Sequence, residues 1–142
     1  DTNGTFPDRL AALLEDQARR PDMVAIDVKT VPGRYAELAI EREAGERAGA
    51  ELLRSLALLR EAELAGITRV EYRTVLAPSL VGEREIREMA GLLHEKADWE
   101  FAQFAPGHCL DPAWNDRVPY GPAEAAKLVD IAREYVPGAR LR

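Results

Sequence analysis

Three short apolar stretches, residues 23–29 (MVAIDVK), 69–78 (RVEYRTVLAP) and 98–106 (DWEFAQFAP), alternate with segments whose apolar side chains recur at helical spacing. That alternation constrains the fold more than any other feature. Strands separated by helices run parallel, with the helix as the crossover. Residues 34–64 place Leu52, Leu56 and Leu59 on one helical face, and residues 83–95 place Ile86, Met89, Ala90 and Leu93 at i, i+3, i+4 and i+7. A first helix opens at Pro7, carries Leu10, Leu13, Leu14 and Ala18, and ends at Arg19-Arg20-Pro21; a last one opens at Pro122 with Ala125, Leu128, Val129 and Ala132 inward. Residues 138–142 (GARLR) add a short final strand. Residues 1–142 therefore read as one α/β unit with a parallel sheet.

In parallel α/β sheets, ligands meet the carboxyl ends of the strands. Chemically rich residues fall there in four separate segments: the opening turn DTNGT (Asp1, Thr2, Asn3), Asp27 with Lys29, Arg73, and the run from Gln103 to His108. The opening turn has Asp/Asn-Gly chemistry, which usually follows a strand. Three full strands are few for a parallel sheet, which needs both faces covered and would leave exposed edges. The expected architecture is thus a partial parallel (β/α) barrel, the second half of a larger one. Its exposed sheet edge is a place where a second copy would form a homodimer.

Composition excludes several classes. The chain has 142 residues, 46% hydrophobic and 31% charged, with net charge −6 and no basic stripe. Nucleic-acid binding through phosphates needs clustered Lys and Arg and is not expected. No apolar run reaches the roughly 18 residues that a membrane helix needs, so no membrane association and a cytoplasmic setting are expected. Cys109 is the one cysteine, and His94 and His108 are the two histidines. A metal held by this chain alone would rely on carboxylate and backbone oxygens, which suits hard cations.

The ordered set DTNGT, VAIDVK, YRTVLAP and FAQFAPGHCLDPAW resembles the later part of radical S-adenosylmethionine enzymes. It is most similar to activases of glycyl radical enzymes: the anaerobic ribonucleoside-triphosphate reductase activating proteins and, a step further away, the pyruvate formate-lyase activating enzymes. The resemblance implies a partial (β/α)6 barrel. It also implies a [4Fe-4S] cluster held by three cysteines of a C-x3-C-x2-C loop, with S-adenosylmethionine on the fourth iron. The 5′-deoxyadenosyl radical formed there takes a glycine hydrogen from a partner, a reductase or a lyase. Neither the cysteine loop nor the Gly-Gly-Glu segment that contacts the methionine amine is present, so the resemblance implies a C-terminal portion that lacks the cluster ligands and is inactive alone.

By the same resemblance, Asp1, Thr2 and Asp27, with the Ala25 carbonyl, hold a monovalent cation beside the cofactor. Asp27, Lys29, Arg73 and His108 are implied as cofactor-binding, with Gly107 and His108 both open as the residue facing the adenosine. The related enzymes often continue the second strand to Val-Pro-Gly; here it reads Ala77-Pro78-Ser79. The residue types fit the chemistry. Lys29 and Arg73 suit a carboxylate, and Asp27 suits a cation or a balancing charge. Plainer readings stand beside these: a helix-capping turn at residues 1–4, a strand-end ion pair between Asp27 and Lys29, a loop histidine at His108, and packing tryptophans.

Two other functions compete. DTNGT is also similar to the Asp-x-Asp-Gly-Thr opening of haloacid-dehalogenase-type phosphatases, in which the first Asp is the nucleophile, but Asn3 replaces the second acid and no late Asp-Asp magnesium motif appears. The other is a non-catalytic interaction module.

Overall fold

In the computed structural model, which describes residues 1–107, 109 and 111–142, the chain alternates as the sequence predicts. Helix α1 (Pro7–Glu15) precedes β1 (Met23–Asp27); α2 (Arg42–Leu64) leads to β2 (Arg69–Leu76), α3 (Glu83–Ala90) to β3 (Asp98–Gln103), and α4 (Pro122–Arg133) to β4 (Arg140–Leu141). The four strands pair in the order β1-β2-β3-β4, all parallel. The expected α/β class and partial parallel (β/α) barrel arrangement are what the chain forms.

Sequential parallel strands whose crossovers all take the usual right hand carry their helices on one face of the sheet. Burial follows that rule. On β2, Val70, Tyr72, Thr74 and Leu76 are buried beneath the helices, whereas Glu71 and Arg73 are half-buried on the other face. On β3, Trp99 and Phe101 share the helix side, their ring centroids 4.6 Å apart. Leu52, Leu56 and Leu59 of α2, Ile86 and Met89 of α3, and Leu128 and Val129 of α4 close the same core. The opposite face is open and carries charge.

The opening turn lies against that sheet. Thr2 forms a parallel bridge to Ile26: its N–H donates to the Ala25 carbonyl (2.8 Å), and its own carbonyl accepts from Asp27 N–H (2.9 Å). It lies at the edge of β1 that β2 does not use. Asn3 Oδ1 accepts from the Thr5 N–H and hydroxyl (3.1 and 2.8 Å), which closes the turn.

The expected helix over residues 34–64 is two elements. A 3-10 turn occupies Pro32–Glu37, and α2 begins only at Arg42. The turn packs across the first turns of α2, where Gly45 and Gly49 lie. A Cβ on Gly49 would meet the Pro32 carbonyl oxygen at 2.2 Å, and one on Gly45 the Tyr35 carbonyl oxygen at 2.5 Å. Helix 83–95 also ends early, at Ala90, where Gly91 caps it. The strands stop at Asp27, Leu76 and Gln103, short of the prolines that bound them in sequence. A 3-10 turn at Pro112–Trp114 stands inside what reads as loop. No helix among the described residues is long and apolar enough to cross a membrane.

Candidate functional site

At the carboxyl ends of the strands, Asp27, Lys29, Arg73, Glu100 and Arg142 line a cavity of about 170 Å³. Parallel pairing brings them together: Asp27 lies opposite Arg73, and Arg73 opposite Glu100. Of the expected site residues, Asp27, Lys29 and Arg73 thus share one cavity. Asp1 joins them through an ion pair from its Oδ1 to Arg73 Nη1 (3.3 Å). Thr2 is fixed beside Asp27 by the backbone bonds of the bridge, and its hydroxyl accepts from Gly4 N–H (3.1 Å). The Ala25 carbonyl is likewise engaged, by Thr2. His108 lies outside the described residues.

Arg73 is not free. Its Nε donates to Glu71, two residues back on the same face of β2, while Nη1 holds Asp1. The Glu71 bond, with the charges of Asp27 and Glu100 nearby, holds the guanidinium more firmly protonated than usual. A second arginine, Arg140, bonds both Asp98 and Glu100 on the same open face. Two arginines are therefore shared among four carboxylates, and each cluster keeps an excess of negative charge. The plain reading of Asp27 and Lys29 as a strand-end ion pair does not hold, since no such pair forms among the described residues.

Lys29 also borders a second, larger cavity of about 600 Å³, which Val75 shares as well. This one is mainly apolar, with Leu38, Ile40, Leu80, Phe104 and Trp114 on its walls. Tyr35 lines the larger one beside Lys29. Its hydroxyl accepts from the Lys29 N–H (3.1 Å), and burial, with Asp27 close by, pushes the phenol up to about 12. The mouth is shaped by the loop after β2. There the Leu80 carbonyl accepts from Thr30 Oγ1 (2.7 Å) and Arg34 Nη1 (3.2 Å), and the Ser79 carbonyl from Arg34 Nη2 (2.8 Å).

Sequence reasoning missed Glu71, Glu100, Tyr35 and Arg142. Strand parity carried a signal for the first two: Glu71 alternates with Arg73, and Glu100 with Asp98. Tyr35 was hidden by reading residues 34–64 as one helix. Arg142 became visible only through the register of β4 against β3.

No protein-family model matches the chain. A protein of Methanocaldococcus jannaschii, provisionally named a glycyl-radical enzyme activating enzyme, is 28% identical over all 142 residues, which span 57% of that relative. The resemblance to glycyl radical enzyme activases is therefore borne out across the whole chain, which spans a little over half the length of the curated relative it matches.

Proposed function

We propose that the chain is the later portion of a radical S-adenosylmethionine activase and forms one wall of its cofactor pocket. Similarity along the whole of this chain to a little over half of a protein named as an activating enzyme, joined to the meeting of Asp27, Lys29 and Arg73 on one strand-end cavity, supports this reading. The partner would be a glycyl radical enzyme, a reductase or a lyase.

The residues present fit adenosylmethionine. The cavity offers cations and a carboxylate side by side, and the ligand carries a carboxylate, an ammonium and a sulfonium. They do not fit the [4Fe-4S] cluster: Cys109 is the single cysteine, and no three His, Cys, Asp or Glu side chains converge among the described residues. No step is therefore assigned to the cluster here. When bound, the cofactor supplies the radical chemistry.

The chain's own share is binding and orientation. Lys29 pairs with the cofactor's anionic group, and Asp27 offsets its positive charge. Arg73, braced by Glu71 and Asp1, holds the pocket's shape. Asp1, Thr2 and Asp27, which the Thr2–Ile26 bridge and the Asp1–Arg73 ion pair bring to one end of β1, would supply the oxygen ligands of a monovalent cation.

The test uses the full-length protein, reconstituted with iron and sulfide without oxygen. Reductive cleavage of adenosylmethionine to 5′-deoxyadenosine is expected, and Lys29→Ala lowers it about tenfold through weaker binding. A full-length protein that binds a cluster yet never cleaves adenosylmethionine would sink the reading. Magnesium-dependent phosphatase turnover abolished by Asp1→Asn would replace it.

A further inference from the structure

The 3-10 turn at Pro32–Glu37 grips two strand ends at once. On one side, the Tyr35 hydroxyl accepts from the Lys29 N–H (3.1 Å), just past the end of β1. On the other, Arg34 reaches the loop after β2. Its Nη2 donates to the Ser79 carbonyl (2.8 Å) and its Nη1 to the Leu80 carbonyl (3.2 Å). Nε and Nη2 also donate to the two Glu37 carboxylate oxygens (2.7 Å each), and Nη1 meets Glu85 on α3 (3.1 Å). Every guanidinium nitrogen is thus engaged, and the acceptors lie on three separate segments of the chain.

Charge at this cluster is balanced: Glu37 and Glu85 face Arg34, and Arg84 pairs with Glu85 as well (2.8 Å). Arg34 is therefore not waiting for a ligand anion; its bonds run between loops. Those loops are opposing walls of the larger cavity, with Lys29 and Leu38 on one side and Ala77 and Leu80 on the other. We infer that Arg34 is the positioning residue of that cavity: it holds the loop that carries Lys29 against the loop after β2 and sets the width of the mouth before any ligand enters. Thr30 supports it, its hydroxyl donating to the same Leu80 carbonyl (2.7 Å). The grip extends to a third wall. Ser79, held through its carbonyl by Arg34, accepts through its hydroxyl from Arg117, whose guanidinium lies 4.0 Å from the centre of the Trp114 ring that lines the same cavity. A planar guanidinium reaches several acceptors in fixed directions, whereas a lysine ammonium is one compact charge on a flexible stem. The consequence for binding rests on the adenosylmethionine reading and adds to it the residue that shapes the entrance.

Two measurements on the full-length protein test it: amide hydrogen exchange without ligand, and equilibrium binding of adenosylmethionine. The reporters are the Leu80 and Val81 amides, which donate to the Ala77 carbonyl, and the Lys29 amide. Arg34→Lys keeps the charge and loses the fork. It is expected to speed exchange at these amides about tenfold, to leave the amides of α4 unchanged, and to weaken adenosylmethionine severalfold. Arg34→Gln is the second variant and is expected to do the same to a greater degree. Unchanged exchange, or exchange that quickens equally in α4, overturns the inference, as does failure of both variants to fold, which would assign Arg34 to the fold as a whole. Local loosening with wild-type affinity also overturns it, leaving Arg34 a loop brace without bearing on the ligand. A wild-type protein that binds no adenosylmethionine sinks the cofactor reading, while the exchange of the ligand-free protein still decides whether Arg34 fixes the mouth.

Discussion

Ser79 stands at φ +67°, in the left-handed region, with its hydroxyl accepting from the Arg117 guanidinium. The resemblance to activases implies the glycine of Val-Pro-Gly at this position. The departure does not abolish the conformation. Arg34 bonds the Ser79 and Leu80 carbonyls, and Tyr120 bonds the Val81 carbonyl (3.0 Å), so side chains fix what glycine would adopt unaided. A left-handed non-glycine residue costs on the order of 1 kcal/mol. Ser79→Ala keeps that cost and loses the hydroxyl contact; Ser79→Gly removes the cost and loses the same contact. The glycine variant is therefore expected to be the more stable of the two by roughly 1 kcal/mol, read from urea unfolding midpoints. The reverse order would mean that the loop does not hold the left-handed turn in solution.

Glycine to alanine inside a helix normally stabilises by about 1 kcal/mol. Gly49 should show the opposite sign. The Pro32 carbonyl carbon lies 3.1 Å from the new methyl, behind an oxygen at 2.2 Å, so backbone must move. Gly49→Ala is expected to destabilise by roughly 1–3 kcal/mol. Gly33, with nothing within 4 Å of its Cβ position, is the control: Gly33→Ala should be neutral or slightly stabilising. Matching thermal midpoints for the two variants would contradict the tight seating of the Pro32–Glu37 turn on α2.

The parallel sheet and the meeting of Asp27 with Arg73 were legible because both follow from alternation and parity, which are local and periodic. Residues 34–64 misled for the same reason. Leu52, Leu56 and Leu59 carry helical spacing, but nothing in that spacing says where the helix begins. The break is set by two glycines packing against the Pro32–Glu37 turn, a contact that helical spacing does not record. Arg73 shows a related limit. Its place on the cavity was readable, whereas its consumption by Asp1 depends on a bridge between Thr2 and Ile26, twenty-four residues apart in sequence. Charge pairing is a tertiary property, so the sequence located the charged residues without telling which remained free.

Glu85 ties the start of α3 to the loop before the site. It is buried, accepts from Gly82 N–H (3.0 Å), and meets Arg34 Nη1 (3.1 Å) and Arg84 Nη2 (2.8 Å). Burial alone would favour the neutral acid; the Arg84 and Gly82 bonds and the Arg34 charge outweigh it and hold the carboxyl below its ordinary range. A lowered folded-state value contributes stability in full above the unfolded value near about 4.3, and that stability disappears as pH falls through the folded value. Glu85→Gln should cost roughly 1–3 kcal/mol at neutral pH. Its deficit relative to wild type should shrink steadily on acidification below about pH 4. A deficit that stays constant down to the acid transition would show that the charge at Glu85 contributes nothing.

Thr74 joins three parts of the sheet through one buried hydroxyl. It donates to the Val28 carbonyl (2.9 Å), immediately before Lys29, and accepts from Trp99 Nε1 (3.0 Å) on β3. Arg73, its chain neighbour, gives its carbonyl to Val28 N–H (2.8 Å). The hydroxyl thus fixes the two strand ends that carry Lys29 and Arg73. Thr74→Val preserves shape but leaves a buried indole N–H and a carbonyl without partners, at a cost of roughly 1–3 kcal/mol. Thr74→Ser keeps both bonds and loses one methyl, about 0.8 kcal/mol. Stability alone does not separate a core role from a site role, since both variants lose packing or bonding. Adenosylmethionine affinity in the full-length protein does. If the hydroxyl positions the strand ends, Thr74→Val weakens binding severalfold and Thr74→Ser leaves it near wild type. Equal affinity in all three proteins would confine Thr74 to the core and free the geometry of Lys29 from it.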